Sequence, residues 1–324
     1  MLLVPESMPF MTTPSAAADP RLQGVTVLER GWLSSNNVLL HGTPDLPGAV
    51  LVDSSHVTHG AQTVALVRHA LQGQVLREVV NTHLHSDHCG GNAELQRSFG
   101  CPVRIPPGGW DAAVMWDEGR LSFRDVSQRC ERFTPSATLE PERPLQAGQR
   151  DWLVLAAPGH DPDSVVLFDD RHGVLISADA LWENGFGVVF PELEGEQAFD
   201  DVARVLDLIE QLDARLVIPG HGAAFGDVPG ALARARKRLA GFRAAPERHT
   251  WYATKVLVKY HLLEERQQSL YGLLQWFEAA PLVQRVWQRL GRPDGSIESF
   301  GRRAVAELAA SGAVVVRDGM LFNS

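Results

Sequence analysis

Three histidines and an aspartate fall within six consecutive positions of this chain: His83, His85, Asp87 and His88, in Thr82-His83-Leu84-His85-Ser86-Asp87-His88-Cys89-Gly90-Gly91. Neutral imidazole and carboxylate together are the ligand chemistry of zinc and related divalent ions, with no thiolate required. The cluster follows an apolar run at residues 76–80, so it stands where a strand gives way to a loop. Side chains repeat every two residues along extended backbone, which would point His83 and His85 the same way. The turn that follows would carry Asp87 and His88 to a second, adjacent point. A chance cluster of surface histidines is the bland alternative. The density of the cluster, its place at a strand end and the Gly90-Gly91 pair after it argue against that alternative.

Two metals need more ligands than one loop supplies, and three other positions repeat the context of a polar ligand type at the end of an apolar strand. They are His160 in Ala157-Pro158-Gly159-His160, Asp179 in Ser177-Ala178-Asp179, and His221 in Pro219-Gly220-His221-Gly222. Each is weak alone, and Asp179 reads equally well as a helix N-cap. With the first cluster they complete a site.

In this order the motifs resemble those of the metallo-β-lactamase superfamily over about residues 25–225. The resemblance implies an α+β fold, an αββα sandwich of metallohydrolases. Its ordered motifs match Asp53, then His83, His85, Asp87 and His88, then His160, Asp179 and His221. By that likeness His83, His85 and His160 hold one metal, Asp87, His88 and His221 a second, and Asp179 bridges them. Asp53 would orient a ligand imidazole through its other ring nitrogen, with a turn-forming Asp as the alternative. One departure is Ala178, where the family usually has glycine before the bridging aspartate. The implied cofactors are two zinc ions, with iron or manganese as alternatives, about 3.5–4 Å apart and sharing a water or hydroxide whose pKa falls towards about 7. Asp87 is the catalytic candidate, orienting that hydroxide.

The implied reaction is hydrolysis of an ester-like bond, a thioester or a lactone, in a small-molecule acyl substrate. A bridging aspartate is absent from classical β-lactamases of this superfamily, so Asp179 argues against that activity. The alternatives are an RNA-processing nuclease of the same fold and an iron-dependent persulfide dioxygenase-like enzyme; His85 disfavours a flavodiiron oxidase. Only three lysines occur, Lys237, Lys255 and Lys259, so no basic cluster near the motifs suggests a glutathione site. The aromatics of the loop at residues 181–187, Trp182 and Phe186, are candidates for one wall of an apolar pocket. Trp110 and Trp116 are candidates for the opposite wall, with ordinary core packing favoured for each.

The elements that must position these groups are legible as strands at residues 25–28, 37–41, 49–52, 75–81, 152–156, 164–168, 174–177 and 216–218. Helices are predicted at 62–71, 93–98, near 110–116 and at 197–212, the last from Phe199, Val202, Val205, Leu206 and Ile209 at helical spacing. Residues 105–149 otherwise read as irregular loops. Beyond about Pro246 helices at 254–266, 270–277, 282–290 and 297–310 precede a hairpin at 313–316 and 320–322. That order resembles a small C-terminal helical, winged-helix-like domain at 246–324, after a catalytic domain at 1–245.

The 324 residues, 44% hydrophobic and 21% charged, suit a globular chain, and the net charge of −9 argues against a chain dedicated wholly to nucleic acid. From Gly230 onward 15 basic residues face 8 acidic ones, a balance of +7, against −16 before it. Nucleic acid is therefore a candidate partner for the C-terminal part, but a lid over the site or a homodimer interface is the favoured reading. No stretch is long and apolar enough to span a membrane. Residues 1–20 read as a loose tail without a secretory pattern. Three cysteines make a poor disulfide framework and fit a reducing cytoplasm.

Overall fold

In a computed structural model that describes residues 19–323, the site is built on two sheets packed face to face. The expectation for the N-terminal tail falls almost wholly outside the described residues. The first sheet runs in chain order: β1 (Val25–Leu28), β2 (Asn37–Leu40), β3 (Ala49–Val52), β4 (Leu76–Val80), β5 (Val103–Ile105) and β6 (Ala137–Thr138). The second has the order β11-β10-β9-β8-β7, from β7 (Leu145–Ala147), β8 (Arg150–Ala156), β9 (Val165–Asp169), β10 (Val174–Ala178) and β11 (Leu216–Pro219).

The period-two rule explains the layering. Val38, Leu40, Val50 and Val52 point inward and meet Val154, Val165, Leu167 and Ile176 of the second sheet. Their neighbours Leu39 and Leu51 point outward and are covered by α1 (Gly60–Ala70) and α3 (Asn92–Phe99), which follows the short α2 (Ser86–Cys89). The small α4 (Trp110–Met115) and α5 (Phe123–Val126) come next, and α6 (Phe190–Glu194) follows β10. On the far side Val166, Phe168, Leu175 and Val217 pack under α7 (Phe199–Gln211) and α8 (Val228–Ala244). The result is the expected αββα sandwich, with β2, β3, β9, β10 and β11 buried along their whole length.

α7 buries Phe199, Val202, Val205, Leu206 and Ile209, worth about 1.5–3 kcal/mol for each large side chain. Its first N–H groups, of Ala198 and Phe199, are capped by the Glu192 carboxylate at 2.8 Å. α8 was not predicted: its buried stripe includes Ala231 and Ala235, and alanines give little contrast against an Arg- and Ala-rich helix. β5 and β6 lie in or next to the stretch read as loops, and with two or three residues each they are too short for alternation to show.

The C-terminal part comprises α9 (Pro246–Glu265), α10 (Leu270–Ala279), α11 (Pro281–Arg289) and α12 (Ile297–Ala310). A small sheet has the order β12-β14-β13, from β12 (Gln267–Ser269), β13 (Val314–Arg317) and β14 (Met320–Asn323). The hairpin is as expected; β12 adds a third strand. This part shares a core with the sandwich, because Val126, Val188 and Leu193 pack among Leu257, Phe277 and Phe300. No helix among the described residues is long and apolar enough to cross a membrane.

β10 ends in a register shift against β11, between Ile176 and Ala178, and Ala178 takes φ +46°. Left-handed backbone costs a residue with a Cβ about 1–2 kcal/mol, and glycine is free of that cost. Ala178→Gly is expected to raise stability by about 0.5–1 kcal/mol after the entropy glycine adds to the unfolded chain. Denaturant titration of both proteins checks this, and a less stable variant would show that the alanine methyl contributes more by packing than the backbone loses.

Candidate metal centre

Every candidate ligand follows the C-terminal end of a strand, and the two sheets bring those ends to one edge of the sandwich. His83 and His85 follow β4, His160 follows β8, Asp179 follows β10 and His221 follows β11. Asp53 comes directly after β3, at φ +59°. One point differs from the sequence expectation. β4 stops at Val80 and residues 81–85 are not extended strand, so His83 and His85 do not meet by alternation. The bend at Thr82 and His83 brings the rings of His83 and His85 to 4.7 Å, edge to face.

The seven side chains fall into two clusters. His83, His85 and His160 each offer a ligand atom within 4.8 Å of the others, and so do Asp87, His88, Asp179 and His221. Asp179 faces both clusters: Oδ2 lies 3.3 Å from His160 Nε2, and Oδ1 lies 3.5 Å from His88 Nε2 and 3.8 Å from His221 Nε2. Asp87 Oδ2 is 3.0 Å from His221 Nε2. Such close approach needs Gly220, where a Cβ would lie 2.2 Å from Asp179 Oδ1.

Surrounding groups fix the rings. Asp53 accepts from His88 Nδ1, the Thr82 amide and the Thr82 hydroxyl, each at 2.8 Å. The Thr82 oxygen is 3.1 Å from His83 Nδ1. His160 Nδ1 donates to the Val188 carbonyl at 2.6 Å. The Trp182 indole donates to Asp179 Oδ1 at 3.2 Å. These bonds leave Nε2 of His83 and of His88 buried with no hydrogen-bond partner. An orphaned imidazole nitrogen costs free energy unless something electrophilic meets its lone pair, so the residues fit a metal at each cluster.

The electrostatics of the clusters differ. Burial and the neighbouring imidazoles push His83 well below the ordinary histidine range. Burial likewise takes His85 and His160 to about 4. All three are thus in the neutral form that ligates. In the second cluster burial alone would raise Asp87 and Asp179, but His88 and His221 outweigh it and hold both carboxyls well below the usual range. The second cluster is therefore anionic at its carboxylates; against burial, Asp53, Asp179 and Asp87 in turn raise His88 well above the ordinary histidine range, so a cation held there would take the place of that proton.

Tyr260, Trp32 and Asp161 escaped the sequence reading. Tyr260 projects from α9, its hydroxyl 3.2 Å from Asp87 Oδ2 and 3.3 Å from His221 Nε2. Trp32 stacks on the His221 ring at 5.4 Å and 9°. Asp161 Oδ2 lies 3.7 Å from His85 Nε2. Nothing local marks Tyr260: helical spacing places it on a helix but does not say what that helix faces.

One hollow opens on the centre and a second lies beside it. A narrow pocket of about 50 Å³ runs past His85 and His160 between Leu121, Phe123, Val126, Val188 and Phe190. A wide cleft of about 750 Å³ runs past Trp32 and Trp182 along α9. Trp182 lines both. Phe186 does not; it is buried in the core under α8. Trp110 and Trp116 do not form the opposite wall either. Trp116 packs on Phe123 and Phe133 and Trp110 on the α1–α3 core, so Leu121, Phe123 and Val126 supply that wall.

α9 also braces the first cluster indirectly. His249 Nε2 accepts the Val189 amide at 3.1 Å, one residue from the carbonyl that holds His160. Burial lowers His249 to about 4, and His56 likewise, from 6.5. Between those values the unfolded chain binds protons that the folded chain does not. Stability is thus full above pH 6.5 and falls as pH drops towards 4, by about 2 kcal/mol per group at pH 5. His249→Gln keeps an acceptor but cannot titrate, so it is expected to lose about 2 kcal/mol less between pH 7.5 and 5. Urea unfolding at the two pH values measures this, and equal losses in both proteins would remove His249 from the account.

The family described as the metallo-beta-lactamase superfamily matches residues 30–221. A hydroxyacylglutathione hydrolase of Anaeromyxobacter dehalogenans is 31% identical over 204 residues, 60% of this chain and 69% of that protein. A hydroxyacylglutathione hydrolase of Nitrobacter winogradskyi is 32% identical over 119 residues, 37% of this chain and 39% of that protein. An acyl-coenzyme A thioesterase of Gallus gallus is 26% identical, over 45% of this chain and 57% of that protein. The chain thus spans 39% to 57% of the length of three of the curated relatives it matches. Among solved structures, a metallo-beta-lactamase family protein of Thermus thermophilus superposes with TM-score 0.53 at 21% identity, covering 94% of this chain and 99% of that one. A beta-lactamase domain protein of Burkholderia ambifaria gives 0.53 at 20%, with 96% of each chain covered. Both share the fold.

Proposed function

The chain belongs to the metallo-β-lactamase superfamily, and from that premise we propose that it is a dinuclear metal-dependent hydrolase of a small-molecule thioester. The observation that carries this is the pair of ligand clusters sharing Asp179 beside an apolar pocket. Similar proteins named for thioester hydrolysis support thioester over lactone. His83, His85 and His160 are assigned to one ion and Asp87, His88 and His221 to the other, with Asp179 between them. Zinc is the assigned metal, because imidazole and carboxylate without thiolate suit it.

When bound, the ions make water nucleophilic at neutral pH and draw charge from the acyl oxygen. The chain's own groups do the rest. Asp87 orients the attacking water; the proton that the water gives up goes on to the departing sulfur as the C–S bond breaks, which leaves a carboxylic acid and a thiol. The Tyr260 hydroxyl donates to the acyl oxygen as negative charge develops there. Burial and the nearby carboxylates Asp87 and Asp179 hold that phenol protonated well above its usual range. Leu121, Phe123, Val126 and Phe190 keep bulk water from the acyl side. We place the boundary between a catalytic domain at 1–245 and a C-terminal domain at 246–324 in the break between α8 and α9. The second domain acts as a lid that supplies Tyr260.

The C-terminal basic residues favour the lid over a nucleic-acid surface. Arg285 pairs with Asp125 and Glu194, Arg302 with Glu298, and Arg303 with Asp294.

The test is elemental mass spectrometry of gently purified protein beside hydrolysis of S-acyl thiols. Two zinc per chain with chelator-sensitive thioester cleavage is the expected result. One iron per chain and oxygen uptake with a persulfide would replace this reading with the dioxygenase-like one.

A further inference from the structure

Two of the chain's three cysteines meet beside the metal-binding loop. Cys89 Sγ and Cys130 Sγ lie 3.9 Å apart although 41 residues separate them in sequence. Cys89 ends α2, the single turn that carries Asp87 and His88, and it is wholly buried. Cys130 is half-buried and lies in residues 128–136, which form no helix or strand. Both thiols are free. Cys101 is buried and instead donates to the Leu95 carbonyl at 3.8 Å. The reaction proposed above uses none of the three.

The neighbours of Cys130 hold its sulfur in this place. Arg129 pairs with Glu264 of α9, and Gln128 accepts from the Ser86 hydroxyl at 2.6 Å. Just upstream is α5, whose Phe123 and Val126 wall the narrow pocket. That helix is one turn long, and Ser122 and Ser127 on either side of it take left-handed backbone, at φ +64° and +53°. Such backbone costs a residue with a Cβ free energy unless its surroundings hold it there. The pocket wall is thus a short, strained segment, and its downstream end stands beside the loop at residues 83–88.

We propose that Cys89 and Cys130 are a redox-responsive pair, joined by a peroxide-class oxidant in a disulfide that fastens this wall to the metal-binding loop. The oxidant meets Cys130 first, because Cys89 has no exposed surface. The Cys130 thiolate attacks one peroxide oxygen and the O–O bond breaks. Hydroxide leaves, is protonated to water, and Cys130 becomes a sulfenic acid. The Cys89 sulfur then attacks that sulfur, the S–O bond breaks, and the hydroxyl departs with the Cys89 proton as a second water. Two thiols give up two electrons and the peroxide takes them. A disulfide brings its sulfurs to about 2 Å, so these two must approach by about as much again. That movement falls to Cys130. The His88 carbonyl, next to Cys89, is held by the Ser54 amide, the Ser54 hydroxyl and the Asn81 side chain, whereas Cys130 stands in irregular backbone. In reducing compartments disulfides are usually transient and redox-sensing, which suits one adjacent pair better than a fixed framework does.

The experiment treats the purified, reduced protein with a small excess of hydrogen peroxide and alkylates the remaining thiols in denaturant. Trypsin then separates the cysteines onto residues 78–97, 98–104 and 130–132. The expected product is the first peptide joined to the third, about 2 Da lighter than their sum, with Cys101 alkylated. A phosphine reductant is expected to restore both thiols, as it would not from a sulfinic acid. Cys130→Ser is expected to leave Cys89 a free thiol under the same treatment. Hydrogen exchange reads the wall itself. Amides of residues 121–130 are expected to exchange at least about tenfold more slowly in the oxidised protein than in the reduced one, a difference that Cys130→Ser abolishes. Sulfinic acid at Cys130 with Cys89 still alkylated, or Cys130 joined to a second chain, would overturn the pair. A disulfide with unchanged exchange would overturn the fastening of the wall. No readout uses a substrate, so failure here leaves the thioester reading standing.

Discussion

Asp179→Ala is expected to reduce bound metal from about two ions per chain to one or fewer, and thioester hydrolysis by about 10³-fold or more. The size follows from the position of this carboxylate, with one oxygen towards His160 and the other towards His88 and His221. No other side chain of the site faces both clusters in this way. On the proposed assignment its loss removes a ligand from each ion and leaves the buried imidazoles with less negative charge beside them to hold a cation. A rate loss of this size corresponds to about 4 kcal/mol of transition-state stabilisation. Asp53→Ala provides the graded comparison: it takes away the carboxylate that holds His88 Nδ1 and Thr82 and is expected to weaken metal binding about 10–100-fold. Elemental analysis and initial rates on both variants make the check. An Asp179→Ala protein that kept two ions and its rate would end the bridging assignment.

Tyr260→Phe is expected to lower kcat about 100-fold while KM changes less than about threefold and metal content stays as it was. The phenyl ring keeps the packing of α9 and only the hydroxyl beside Asp87 and His221 is lost. A donor that matters only as negative charge develops on the acyl oxygen acts on the transition state and not on substrate binding. The loss is worth about 2.7 kcal/mol. If instead metal content fell with kcat unchanged per bound ion, Tyr260 would be a brace for Asp87 and not a participant in the chemistry.

Much of this site was legible because its ligands are marked by what surrounds them. His83 to His88 are dense, and His160 and His221 each sit behind Pro-Gly at a strand end, so local pattern carried the metal side. The fold was legible for the same reason: strands buried on both faces read as continuous apolar runs, and α7 has a strong stripe. What stayed hidden depends on contacts between distant segments. Tyr260 is 173 residues from Asp87 and looks like any tyrosine on a helix. Trp32 lies in a loop before β2 and reaches His221 only when the sheets close. The pairing of His83 with His85 was expected for the wrong reason, since a bend and not a strand brings them together.

The spread of the ligands along the chain also bears on when the protein can acquire its metal. Asp87 and His221, 3.0 Å apart in the folded protein, are separated by 134 residues. At about 5–20 residues per second, a ribosome needs roughly 7–27 s to pass from one to the other. For that interval the emerging loop at residues 83–88 offers part of a binding site, open to whichever cation is at hand. The last residue of the cluster with His160 is made before the last of the cluster with His221, and Tyr260 is made later still. On the proposed assignment the complete ligand set can therefore choose between ions only after residue 221 has been made, with 103 residues still to come.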